Sequence, residues 1–105
     1  MDWNINEGHL LKNIIYLELL RRRVSIGTTL DYEVDFVAEN THTIKYYQVT
    51  LTLSDEQVKN RELRSLESIS DNYEKIILSM DKSINNDYNG IKVKNIINWL
   101  LENEE

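Results

Sequence analysis

The 105-residue sequence predicts a mixed α/β fold, a central mixed sheet flanked by helices, in the order α-β-β-β-α-β-(β)-α. Three observations predict it. Apolar residues recur with helical spacing near both ends of the chain and in its middle. Two alternating runs, divided by the polar "ENTH", read as a hairpin. A nearly continuous apolar run, "KIILSM", reads as a strand covered on both faces. With 41% hydrophobic and 29% charged residues, residues 1–105 suit one globular domain.

Each element follows from its residues. Residues 7–23 form the first helix, with Leu10, Leu11, Ile14, Ile15, Leu17, Leu19 and Leu20 at helical spacing. Arg21, Arg22 and Arg23 close it at the negative end of its dipole. Residues 24–27 are a short strand, and residues 32–38 and 43–51 are the two strands of the hairpin. "SDEQ" is a capping box, Ser54 at N-cap and Gln57 at N3, opening a helix to about residue 68. That helix packs through Val58, Leu63, Leu66 and Ile69. Residues 75–80 are the buried strand, "INNDYNG" is turn chemistry, and residues 91–93 suffice for a last short strand. Residues 94–102 are a closing helix with Ile96, Ile97, Leu100 and Leu101 inward and Trp99 off the stripe.

Composition removes several function classes. The chain has no cysteine, which excludes disulfides, thiolate metal sites and a Cys nucleophile, and fits a reducing, cytoplasmic setting. No signal peptide and no bilayer-length apolar run can be read, so no membrane is expected. Gly8, Gly27 and Gly90 are too few and too scattered for a phosphate loop, so no ATP site is expected in this chain. A net charge of −6 disfavours nucleic acid, whose binders neutralise phosphates.

Several polar residues sit where apolar ones would pack better. On a helical wheel with Leu11 at 0°, Glu18 falls at about 340°, on the apolar stripe, and Arg22 at about 20°. Either Glu18 pairs with Arg22 at i+4 or it serves a site. In the hairpin, pairing of Ala38 with Thr43 sets Asp35 opposite Tyr46 and diagonal to Gln48. Asp35, Gln48 and Thr50 then share one face, which is either solvated or part of one constellation with Glu18.

These residues carry a resemblance. The blocks "GHLLKNIIYLELLRR", "YEVDFVAE", "YYQVT", "RELRSLESISDNYEKIILSMD" and "NGIKVKNIINWLL" resemble the C-terminal domain of unknown function attached to a class of prokaryotic AAA-type ATPases. Nearly the whole chain is covered. That domain is similar in organisation to restriction-endonuclease-like nucleases with the PD-(D/E)xK signature. In such nucleases a helix Glu, a strand Asp and the (D/E) residue hold Mg²⁺ or Mn²⁺, and the Lys helps activate the attacking water.

Carried over, Glu18 matches the helix Glu and Asp35 the strand Asp, while Gln48 stands at the (D/E) position and Thr50 at the Lys position. Gln48 is neutral and Thr50 supplies no cation; Lys59 or Arg64 of the second helix would have to replace it. The resemblance thus implies an accessory C-terminal module of a larger ATPase, with a degenerate nuclease-like site and no activity alone. Its partner would be an N-terminal ATPase domain missing from this chain, and a homodimer is a further option. The alternative is a Mg²⁺- or Mn²⁺-dependent nuclease using Glu18, Asp35 and Gln48.

Overall fold

The computed structural model describes residues 5–27, 34–82 and 86–102. Nine elements run in the order α1 (Ile5–Arg21), β1 (Ser25–Gly27), β2 (Phe36–Glu39), β3 (Ile44–Val49), α2 (Glu56–Glu67), β4 (Glu74–Ser79), β5 (Asn86–Tyr88), β6 (Ile91–Asn95) and α3 (Ile96–Leu100). The expected α/β class is what the chain adopts. Six strands form one mixed sheet in the order β1-β2-β3-β4-β6-β5. Strands β1, β2 and β3 pair antiparallel, β3 with β4 and β4 with β6 pair parallel, and β5 closes the far edge antiparallel to β6.

Helix α1 ends in a Schellman motif. Val24 N–H donates to the Leu19 carbonyl (3.5 Å) and Arg23 N–H to the Leu20 carbonyl (3.0 Å). Arg23 occupies the left-handed position at φ 62°, where glycine is usual. The cap turns the chain into β1.

The hairpin register differs from the expected one by two residues. Ala38 pairs with Lys45 and Val37 with Tyr46. The Asn40 side chain sets this: its Oδ1 accepts from His42 N–H (2.9 Å) and Thr43 N–H (2.9 Å), so the turn begins at Asn40 and Glu39 stays in the strand. A two-residue shift preserves which face each side chain takes. Continued one step beyond Phe36↔Tyr47, the register sets Asp35 directly across from Gln48 rather than diagonal to it.

Helix α2 is capped by Asp55, not Ser54. The Asp55 carboxylate accepts from Gln57 N–H (2.8 Å) and Val58 N–H (3.3 Å). An ionised acceptor at the positive helix end is stronger than a hydroxyl. The segment read as a turn holds strand β5. Asn89 (φ 55°) and Gly90 (φ 91°) make a two-residue loop with both central residues at positive φ, the type I′ geometry that joins β5 to β6. Strand β6 continues to Asn95, whose side chain caps α3 by accepting from Asn98 N–H (3.0 Å). This late start rotates the inward positions: Ile96 and Trp99 are buried, whereas Ile97 and Leu101 face outward.

The sheet carries a core on each face. On one, α1 and α3 place Ile15, Leu19, Ile96 and Trp99 over Tyr47, Val49, Ile76 and Leu78. On the other, α2 places Leu66, followed by Ile69, over Tyr46, Ile77, Ile91 and Val93. An Asp81 knot binds the carboxyl ends of the central strands. Its carboxylate accepts from the Thr52 hydroxyl (2.6 Å), Leu53 N–H (2.8 Å) and the Ser79 hydroxyl (3.2 Å), and its carbonyl accepts from Asn95 Nδ2 (2.9 Å). Among the described residues no helix is long and apolar enough to cross a membrane.

Candidate functional site

Strand β2 begins at Phe36, one residue after Asp35, yet the pairing with β3 continues to Asp35 through side chains. Asp35 N–H donates to Gln48 Oε1 (2.7 Å), and Asp35 Oδ2 accepts from Val49 N–H (2.8 Å). These two bonds replace ladder bonds that the backbone no longer makes. The Gln48 carboxamide, 4% exposed, passes the relay on: its Nε2 donates to Glu62 Oε1 at 2.9 Å. The backbone donor at Asp35 identifies which end of the amide is oxygen, since a flipped amide would set NH₂ against N–H.

Two further helices reach this point. Lys12 of α1 brings its ammonium to 3.1 Å from Asp35 Oδ1. Arg61 and Glu62 of α2, with Lys12, Asp35 and Gln48, line a cleft of about 350 Å³. The Glu62 carboxyl is held above the ordinary carboxylate range, first by burial and then by the nearby negative charge of Asp35. Arg61 and Lys12 pull it back the other way.

The remaining residues expected at the site lie elsewhere. Glu18 joins the arginines at the end of α1: Oε1 accepts from Arg21 Nε (2.9 Å), and Oε2 accepts from Arg21 Nη2 (2.6 Å) and Arg22 Nε (2.6 Å). The Arg21 hydrogen bonds are the largest influence holding its carboxyl down, to about 2, and Arg22 adds to them. Arg22 is 4% exposed at its side chain, donates to the Trp99 carbonyl (2.6 Å), and lies 4.2 Å from the centroid of the Trp99 ring. Glu18 is thus the expected i+4 partner of Arg22 and ties α1 to α3. Six residues separate it from Lys12, which places the two about 120° apart around the helix.

Thr50 is buried at the end of β3, its N–H donating to the Leu78 carbonyl (3.0 Å) and its hydroxyl directed at the Thr52 carbonyl (3.4 Å). Asp35 and Gln48 are therefore brought together, and Glu18 and Thr50 are bonded to other partners. Lys59 pairs with Glu56 (3.2 Å) and lies 5.4 Å from the centroid of Tyr88, and Arg64 sits in the last turn of α2. The cation at Asp35 is Lys12.

Lys12 and Glu62 went unnoticed in the sequence. Glu62 was findable, because it lies four residues after Val58 and four before Leu66, on the inward stripe of α2. Lys12 gave no such signal; it reaches the site from the flank of α1.

Chemically, the cleft offers two carboxylates, one carboxamide, an ammonium and a guanidinium. The carboxamide is spent on Asp35 and Glu62, and the Asp35 oxygens are spent on Val49 N–H and Lys12. Among the described residues no three His, Cys, Asp or Glu side chains gather as a metal-binding group. A cation entering here would rely on Asp35, Glu62 and the Gln48 carbonyl, and would have to displace the relay.

The fold and cleft define an α/β module with a polar relay between a strand end and its two flanking helices. No family model matches the chain, and no solved structure matches it. The chain is similar to an uncharacterized protein of Haemophilus influenzae, 33% identical over 99 residues that cover 92% of this chain. It spans 24% of that protein's length.

Proposed function

We propose that this chain is an accessory module of a longer, cytoplasmic prokaryotic AAA-type ATPase. Its frame is restriction-endonuclease-like, and its former catalytic constellation serves as a structural relay. The observation that carries this reading is the reciprocal bonding of Asp35 and Gln48. At the two positions where such a nuclease directs oxygens at a metal, these side chains satisfy backbone N–H groups instead. The absence of a cation at Thr50 and the net charge of −6 agree with it. The resemblance of nearly the whole chain to the ATPase-linked domain, and its match to a quarter of a longer protein, support its placement in a larger polypeptide.

The test is metal binding and cleavage together. Isothermal titration with Mg²⁺ and Mn²⁺ should give no saturable heat, and the protein with Mn²⁺ should cleave single- or double-stranded DNA or RNA no faster than its Asp35→Ala variant. Metal-dependent cleavage lost in Asp35→Ala would overturn the reading. One observation favours that alternative, a Mg²⁺- or Mn²⁺-dependent nuclease: Asp35 and Gln48 do meet, and Lys12 supplies beside them the cation that Thr50 lacks.

A further inference from the structure

Helix α1 carries a second apolar stripe. Its core stripe, Ile15 and Leu19, is fully buried on the sheet. On the opposite side, Leu10, Leu17 and Leu20 are 59%, 62% and 48% exposed. With Asn13 they occupy positions 10, 13, 17 and 20, the alternating three- and four-residue spacing of a helix-pairing seam. Helix α3 lies on the same face of the sheet and turns Ile97 and Leu101 outward. Among the described residues these side chains join neither core cluster, and exposed apolar patches of this extent mark contact surfaces.

We infer that the outer face of α1, flanked by α3, is a self-association surface occupied by a second copy of this chain. Three features select that occupant. The seam is self-complementary: in an antiparallel two-fold pairing centred near Ile15, each Leu10 meets the partner's Leu20, so all four seam positions are covered at once.

The arginine end of α1 keeps an excess positive charge, because the one carboxylate of Glu18 is shared by Arg21 and Arg22 and Arg23 follows them. The antiparallel pairing sets that end level with the acidic first turn of the other copy, at Glu7, rather than with its like. Finally, the area suffices. With Tyr16, the half-exposed side chains present on the order of 500 Å² of apolar surface. At the roughly 65% apolar content of homodimer interfaces, that corresponds to about 800 Å² per partner, the size of a stable interface. The inference is independent of the ATPase reading and of the Asp35 cleft.

Sedimentation equilibrium of the chain tests it, with twice the 12.5 kDa chain mass expected at micromolar to submillimolar concentration. The double variant Leu17→Lys, Leu20→Lys should be monomeric, with the dissociation constant raised at least 100-fold and an unchanged circular dichroism spectrum. Tyr73→Ser, exposed elsewhere, should remain dimeric. Because the chain has no cysteine, Asn13→Cys takes one spin label. Paired helices roughly 8–10 Å apart place the two labels within roughly 25 Å. A monomer at every concentration means a different occupant for this face and overturns the inference. So does a dimer that survives the double variant, or one whose labels lie farther apart.

Discussion

Gln48→Glu restores the acid that a nuclease of this resemblance would carry, and it is expected to destabilise the protein in a strongly pH-dependent way. Gln48 Nε2 lies 2.9 Å from Glu62 Oε1. Replacing the amide N–H by an ionised oxygen removes a charge-assisted bond worth about 1.5–3 kcal/mol. It also sets two carboxylates at about 3 Å, where like charges repel by roughly 5 kcal/mol at an effective dielectric of 20. The pair escapes the full penalty by taking up a proton. From an unperturbed value of 4.5, protonating one carboxyl at pH 7 costs 2.5 units, or about 3.4 kcal/mol at 1.36 kcal/mol per unit. That is the ceiling, and the shared proton then restores the bond.

The expected loss is therefore about 3 kcal/mol at pH 7, falling below about 1 kcal/mol at pH 5. Urea denaturation at pH 5, 6 and 7 measures it, with Gln48→Met as the control whose loss changes far less with pH. A variant as stable as the parent at pH 7, or one whose loss is flat with pH, would refute the relay.

Three further outcomes follow from the structure. Glu18, held down to about 2, contributes stability that is present above 4.5 and lost as the pH falls through 2. Arg21 is 65% exposed, so screening reduces this to about 1 kcal/mol, and Glu18→Gln should remove that acid-labile part in a pH-dependent melt. Arg23→Gly relieves a side chain held at φ 62° and should stabilise the protein by about 0.5–1 kcal/mol, a rise in melting temperature by calorimetry. Asp81→Ala strands three donors at the carboxyl ends of β3 and β4 and should cost about 2–4 kcal/mol in denaturant titration, with loss of hydrogen-exchange protection at Leu53.

The sequence made the order of the main elements readable because their apolar periods are unambiguous. It offered two readings of Glu18, a place in the site or a pair with Arg22, and a carboxylate on an apolar stripe does not by itself choose between them; the arginines at the end of α1 do. Strand β5 was hidden because Asn86, Asp87 and Tyr88 lack apolar alternation; only the dipeptide Asn89–Gly90 announced the hairpin, and turn chemistry alone does not say what it joins. Trp99 is inward because the five-residue helix centres its buried face on Ile96, Trp99 and Leu100, about 80° around from the centre of the expected set Ile96, Ile97, Leu100 and Leu101, and so short a helix has too few turns to fix its stripe from sequence. The meeting of Asp35 and Gln48 was legible from strand parity. The meeting with Glu62 and Lys12 was not, because it depends on how two separate helices cross the sheet.

The strand order also sets a timetable for folding. The antiparallel β1-β2-β3 meander and the β5-β6 hairpin close over short stretches of chain, whereas the parallel β3–β4 and β4–β6 seams wait for connections through α2 and β5. Local hairpins form in microseconds, and non-local parallel pairing pays its loop entropy first. The slow step expected from this topology is the joining of the two locally formed parts of the sheet along β4, a buried central strand. With no proline anywhere in the sequence, no slow isomerisation delays it. Until that seam closes, β4 is the segment most open to pairing with a foreign strand, and chaperone protection in the cell would matter most during that interval.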